Sequence, residues 1–368
     1  MKITIVQGPY FPVPPLIGGA VEKIWYRLGQ EFAARGHAVT HLSRRYPGLP
    51  AENEEAGVHH QRVRGYGQPA NALMLKVRDL LYTLRACRRL PPADITVTNT
   101  FFAPMLMHKR SGVYVDVERM PKGQMRCYRH AARLRANSAA VRAAILREVP
   151  EMASRTCVIP NPLPFVPDRP VAWEKKEQCI LYVGRLHPEK GIGLLLEAFV
   201  RLKAAGNVRD WRLELVGPSE TERGGGGKAW EADLRRRFAH PDIAWLDPIY
   251  DQARLNQCYE RASVFAYPSL AERGETFGLA PLEAMAWGAI PVVSRLACFN
   301  DFIMDRVNGL VFDHRAAMPV QDLIRCFQEA CGGDVRVLAE NASRVRMTHA
   351  PGRIAEGFLE DFALICEK

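Results

Sequence analysis

Arg185 and Lys190 stand five residues apart in VGRLHPEKG, residues 183–191, at the end of an apolar run that reads as a buried strand. A strand end, a turn and a following helix let two cations and free helix N–H groups converge on one anion. Arg grips two oxygens and Lys acts as a point charge, a combination suited to a diphosphate. Two surface cations are the ordinary alternative, but positive charge at a helix start is unfavourable to the helix dipole. Downstream, ERGETFGLAPLEAMAWGAIPVV (272–293) sets Glu275 and Glu283 eight apart around Phe277, Gly278 and Leu279. Pro281 suits a first helical turn, so the helix starts near Leu279, with Glu275 in the loop before it and Glu283 in its second turn. The two carboxylates cannot share a helix face, which argues against a paired general acid and base. They bracket the helix start instead. A carboxylate accepts hydrogen bonds in pairs, so each can grip vicinal hydroxyls of a ribose or a hexose. The helix dipole would account for Glu283 but not for loop-bound Glu275. A third candidate, PPLIGGAVE (14–22), places Gly18 and Gly19 between the first strand and the first helix. Such glycines let backbone approach a phosphate at a helix N-terminus, although a plain loop pair reads the same way.

The elements that hold these residues alternate between strand and helix. KITIVQG reads as a strand, and AVEKIWYRLGQEFAARG as a helix with Val21, Ile24, Trp25, Leu28 and Phe32 on one face and Gly36 as its stop. HAVTHLS, GVHHQRV, ADITVTN and SGVYVDV read as strands, joined by a helix over 71–89 and followed by an Arg-dotted helix and a helix over 140–148. Residues 161–176 hold four prolines without periodicity and read as a linker. A second series then runs through QCILYVGRL, a helix to about 204, WRLELVG, a helix over 229–239, IAWL, a helix from 251, SVFAYPS, the helix at 279–287 and AIPVVS, with GGGG at 224–227 as a flexible loop. Apolar strands alternating with helices mean parallel sheets covered on both faces. The expected class is therefore α/β, with two doubly wound domains facing across a cleft. Ligands of such sheets sit beyond the carboxyl ends of the strands, where each candidate motif falls.

Length and composition set the outer limits. With 368 residues, 48% of them apolar and 24% charged, the chain has core material for two domains. The N-terminus lacks the pattern of a signal peptide and no run of eighteen apolar residues occurs. Nine cysteines without CxxC or zinc spacing read as reduced thiols, which points to the cytoplasm. Residues 1–170 hold 25 Lys and Arg against 12 Asp and Glu, whereas the remainder holds 25 against 28. A basic half joined to a mildly acidic one points to two domains with different partners, or to a solvated basic face.

The motifs resemble one family, the retaining glycosyltransferases of family 4 with the GT-B fold. The resemblance runs from GGAVE and LGQEFAARGHAVT through VIPNP, LYVGRLHPEKG and LELVG to YPSLAERGETFGLAPLEAMAWGAIPVV and NGLVF at 308–312, nearly the whole chain. Its most specific part is the Glu-x7-Glu element joined to Phe-Gly-Leu, with Arg-x4-Lys at the matching place. The resemblance implies an acceptor-binding Rossmann-like domain over 1–165, rejoined by a C-terminal helix within 350–368, and a nucleotide-sugar donor domain over 166–349. It implies that Arg185 and Lys190, beside Gly184, bind the donor diphosphate and that Glu283 holds the ribose. Glu275, with the backbone of Phe277, Gly278 and Leu279, would hold the transferred sugar. Arg185, Lys190 and Glu275 are thus the catalytic candidates. Gly18 and Gly19 would close on the phosphate, and Ile249 in WLDPIY (245–250) would contact the base. The substrate would be a UDP- or GDP-sugar, with no metal and no separate cofactor. Three positions depart from the family pattern. A family His after the strand at 112–117 is replaced by VYVDVERM, which offers Asp116 and Glu118 as donor-sugar contacts or, equally, as a helix cap and a solvated charge. NG becomes NP at 161–162, and a Gly becomes Thr276.

The expected activity is retaining, metal-independent transfer of a hexose from a nucleotide diphosphate sugar to a glycan, lipid-linked or small-molecule acceptor. Rival readings are a metal-dependent enzyme using Asp116 and Glu118, a sugar-nucleotide epimerase of similar fold, and a basic nucleic-acid-binding protein. The last has no recognised motif or aromatic interleaving, so no nucleic acid is expected. Arginines 85, 88 and 89 beside Leu80, Leu81, Leu84 and Leu90, with arginines 126, 129, 133 and 135 in further basic helices, could lie on an anionic membrane. That would make the enzyme peripheral to the inner face of the membrane. A soluble enzyme whose basic face binds an acidic acceptor, or nothing, is the alternative.

Overall fold

The computed structural model describes residues 1–69, 71–108 and 110–367, so Lys368, at the end of the stretch expected to rejoin the first domain, lies outside the described residues. Contacts divide the chain into two units, one of Met1–Val166 with the chain from His349 onward, the other Pro167–Thr348.

The first unit runs β1 (Lys2–Val6), α1 (Ala20–Ala34), β2 (Ala38–Arg44), β3 (Glu52–Glu55), β4 (Val58–Val63), α2 (Ala72–Cys87), β5 (Ile95–Thr98), α3 (Ala103–Leu106), β6 (Val113–Val117), β7 (Arg133–Ala136), α4 (Ala139–Glu148) and β8 (Thr156–Val158). Its sheet has the order β3-β4-β2-β1-β5-β6-β7-β8, parallel except where β3 pairs antiparallel with β4. The α1 face forms as the period requires: Ile24, Trp25, Leu28 and Phe32 are fully buried, and the chain leaves the helix through Gly36 at φ 81°. α2 begins where the Asn71 side chain accepts hydrogen bonds from the N–H groups of Leu73 and Met74.

Two local expectations are corrected. The Arg-dotted segment is not a basic helix: Gln124–Tyr128 forms a short 3-10 turn, and Arg133 and Arg135 lie on β7. Arg135 is completely buried and Arg133 is ion-paired to Asp361. Local pattern marks Arg as solvent-facing, whereas here the partners sit on distant elements. GGGG is likewise no loose loop. A Cβ on Gly226 would lie 2.7 Å from the Trp230 ring and 2.9 Å from Pro188, and its N–H donates to the Leu186 carbonyl at 2.8 Å. Glycine is needed there for close approach.

The second unit runs β9 (Glu177–Val183), α5 (Ile192–Ala204), β10 (Arg212–Val216), α6 (Lys228–Arg237), β11 (Ile243–Leu246), α7 (Gln252–Arg261), β12 (Ala262–Tyr267), α8 (Leu279–Ala286), β13 (Ile290–Ser294), β14 (Leu310–Phe312), α9 (Pro319–Gly332), α10 (Arg336–Ser343) and α11 (Val345–Thr348). All its strand pairs are parallel, in the order β11-β10-β9-β12-β13-β14. The order turns back at β9, which lies between β10 and β12, so loops leaving the ends of β9 and β12 part there and leave room for a ligand.

The chain then re-enters the first unit as α12 (Pro351–Cys366), which packs on α1. Phe358 meets Trp25 edge-on at 5.2 Å, and Phe362 meets Phe32 at 5.7 Å and Tyr114 at 4.9 Å. Asp361 accepts from the Tyr114 hydroxyl at 2.8 Å. Among the described residues no helix is long and apolar enough to cross a membrane.

Candidate active site

The second unit gathers most of the candidate residues at the ends of β9 and β12. Beyond β9 the chain passes Gly184 and Arg185 into a 3-10 turn, Pro188–Lys190, capped by the His187 ring, which accepts from the Glu189 N–H at 3.2 Å. The Glu189 carbonyl accepts from the Leu270 N–H at 2.7 Å, which ties this turn to the loop after β12. Across that tie the Lys190 ammonium reaches the Glu275 carboxylate at 2.7 Å, with both side chains about nine-tenths buried. The ammonium also lies 5.3 Å from the centre of the Tyr267 ring, which stacks on Tyr182 at 5.9 Å. Burial first, then the Glu275 charge, pushes the Tyr267 hydroxyl well above its ordinary range, so it remains a neutral hydrogen-bond partner of Glu275. Arg185 contrasts with Lys190. Its side chain is 43% exposed, held by the Gly224 carbonyl and by Glu189 at 2.9 Å, and so keeps donors free for an incoming anion.

Gly278 starts α8 at φ 96°, where a Cβ would stand 2.5 Å from the Phe299 ring. Only glycine fits, and the backbone of Phe277–Leu279 is fixed as a result. Phe277 is buried and stacks on Phe302 at 5.0 Å, so its side chain anchors the turn. Glu283, 3% exposed, accepts from Gln252 at 3.3 Å and hydrogen bonds Tyr259. Ile249 is half-buried in the segment between β11 and α7. The unit therefore brings Arg185, Lys190, Glu275, Phe277, Gly278, Leu279 and Glu283 to one sheet end. Tyr267, Tyr182, Tyr259 and Gln252 were not singled out from sequence. The tyrosines end or flank apolar runs and read as core, and only the position of Tyr267 at the carboxyl end of its strand could have marked it.

Gly18, Gly19, Asp116 and Glu118 lie in the first unit. Gly18 and Gly19 have φ 88° and 98°, and a Cβ on Gly19 would meet the Glu22 carboxylate at 2.2 Å. Glu22 is buried, and desolvation raises its carboxyl to about 7. Asp116 is corrected as a sugar contact: its side chain has no exposed surface, one oxygen accepting from Trp25 Nε1 and the other from Arg135, both at 2.6 Å. Burial and then the Glu118 charge push its carboxyl up, while Arg135 holds it down. Glu118 shares Arg135 at 2.6 Å and accepts from Asn137 at 2.8 Å and Asn161 at 3.1 Å. The pair is thus neither helix cap nor solvated charge but the acidic half of a buried Arg135 network. Among the described residues no three His, Cys, Asp or Glu side chains gather as metal ligands.

Two α/β units, each built on its own largely parallel sheet, are the architecture of the GT-B fold. Sucrose-phosphate synthase from Thermosynechococcus elongatus superposes on the chain with a TM-score of 0.79 at 19% identity, covering 98% of both. Residues 177–329 match the family model of glycosyl transferases group 1. By sequence, the glycogen synthase of Thermus thermophilus is 32% identical over 134 residues, 36% of this chain and 28% of that protein's length. The lipopolysaccharide 1,2-N-acetylglucosaminetransferase of Salmonella typhimurium is 24% identical over 332 residues, 84% of each chain. The family match lies wholly within the second unit, Pro167–Thr348.

Proposed function

We propose that the chain is a retaining, metal-independent hexosyltransferase that moves a sugar from a nucleoside diphosphate sugar to a glycan, lipid-linked or small-molecule acceptor. The convergence of Lys190 and Glu275 at 2.7 Å, beside the start of α8, carries this reading. The second unit binds the donor and the first unit the acceptor. As the bond from sugar to phosphate breaks, negative charge grows on the phosphate oxygens. Arg185, Lys190 and the free N–H groups at the helix starts lower the energy of that charge without a metal. Glu283, already oriented by Gln252 and Tyr259, accepts from the ribose hydroxyls, and the backbone at Ile249 meets the base. Glu275 and the Phe277–Leu279 backbone hold the transferred sugar. The Salmonella relative, named for lipopolysaccharide, supports a glycan or lipid-linked acceptor. Cytoplasmic location with attachment to the inner face of a membrane goes with such an acceptor.

The test is turnover of UDP- and GDP-sugars in excess chelator, following released nucleoside diphosphate and the anomeric configuration of the product. Retention and chelator resistance are expected. An inverted product, a strict metal requirement, or epimerised donor formed without acceptor would each replace this reading.

A further inference from the structure

α2 turns the wrong face to water. Its Asp79, Tyr82, Thr83 and Ala86 are buried, while Leu73, Met74, Val77, Leu81 and Leu84 are exposed, Leu73 by 71%. At 3.6 residues per turn these five occupy an arc about 100° wide. Arg78, Arg85 and Arg89 border that arc on one side and Lys76 on the other. The helix ends at a groove of about 270 Å³ whose lining includes Arg45, Arg64, Arg85, Arg88 and Arg89 against the single carboxylate of Glu52. Among the described residues nothing pairs with the guanidinium groups of Arg64, Arg88 or Arg89.

We infer that α2 and this groove dock the first unit onto an anionic bilayer. The aliphatic arc enters the boundary between headgroups and acyl chains, and the arginines receive headgroup phosphates. Charge complementarity selects this occupant. An apolar stripe alone would suit any hydrophobic partner and a cationic groove alone any polyanion, but the two joined on one helix match a surface that is apolar beneath and anionic above. The stripe differs from the one read in the sequence, since Leu80 and Leu90 are partly buried and Leu73, Met74 and Val77 take their place. The inference rests on the proposed membrane attachment and adds the face and the groups that make it.

The test is co-sedimentation of the full chain with vesicles of phosphatidylglycerol and phosphatidylcholine at low salt. Wild type should pellet with mixed vesicles, stay in solution with pure phosphatidylcholine, and be released by salt. R88E/R89E and L73S/V77S/L81S change exposed positions, so both should keep the wild-type melting temperature while partitioning falls on the order of tenfold or more. Wild type that fails to pellet would overturn both this inference and membrane attachment. Wild-type binding in both variants would overturn the inference alone. Release by phosphate well beyond that by chloride at equal ionic strength would make the groove a free-anion site. A solution dimer lost in L73S/V77S/L81S would make the stripe a self-interface. Either result overturns bilayer docking.

Discussion

Lys190 and Glu275 pair at 2.7 Å and both are largely out of water, so truncating one leaves the other buried without its counter-charge. K190A and E275A should each destabilise the protein by about 3–5 kcal/mol in urea melts, and K190A/E275A should cost less than the sum. Glu275→Gln separates stability from chemistry. It preserves the shape and, on the proposed function, leaves Lys190 for the diphosphate, so turnover should fall while nucleoside diphosphate binds as well as before or better. Weaker nucleotide binding in this variant would mean that the pair orders the site rather than divides its labour. Asp116 makes the opposite case. With Arg135 buried against it, Asp116→Ala should lower stability by about 3–5 kcal/mol, read as a shifted urea midpoint. A loss of turnover with an unchanged midpoint would return it to the donor site. Glu275 was legible in the sequence because a loop carboxylate lacks an ordinary reason to be there. The duty of Asp116 was not, since Trp25 and Arg135 are each far off in the chain and no local pattern announces them.

Elements with a strong period were legible, and those held by distant partners were not. α1, α5 and α8 follow from apolar spacing and their punctuation by Gly and Pro. β3 reads Glu-Asn-Glu-Glu, with no strand propensity, and exists because the turn at Ala56 and Gly57, both at positive φ, folds it back along β4. β7 reads as charged and is a strand because its arginines find carboxylates. The pairing of β2 with β4 also sets His41 beside His60, rings stacked at 5.6 Å, with no hydrogen-bond partner for any of the four ring nitrogens among the described residues. Burial lowers His41 well below its ordinary range and His60 to about 4. The unfolded chain takes up these protons near pH 6.5 and the folded sheet resists them, so stability falls as pH drops from about 6.5 toward 4. Glu22, raised to about 7, and Asp79, raised to about 6, act in the opposite direction, because the fold binds their protons more tightly. His60→Gln should therefore flatten the acid side of the melting-temperature profile, by at most about 3 kcal/mol near pH 4. An unchanged profile would show that the pair finds partners as it protonates.

At the scale of the whole molecule, the doubly wound class followed from alternation alone, and the excess of positive charge was visible by counting. What counting could not place was the charge: Arg135 is sealed inside while Arg88 and Arg89 stand open. α12 supplies Phe358 and Phe362 to the aromatic cluster of α1 and Asp361 to Tyr114, so deleting residues 349–368 should leave the first unit without cooperative melting. A sharp transition at the wild-type temperature would make the helix an accessory. The same return of the chain imposes an order on synthesis. Residues 1–166 leave the ribosome first, yet the helix that closes their core emerges only after the whole of Pro167–Thr348. The second unit can finish folding while the first waits with Trp25, Phe32 and Tyr114 uncovered. For that interval the nascent chain is a client for chaperones, and a ribosome stalled before codon 349 would hold one completed unit and one that cannot close.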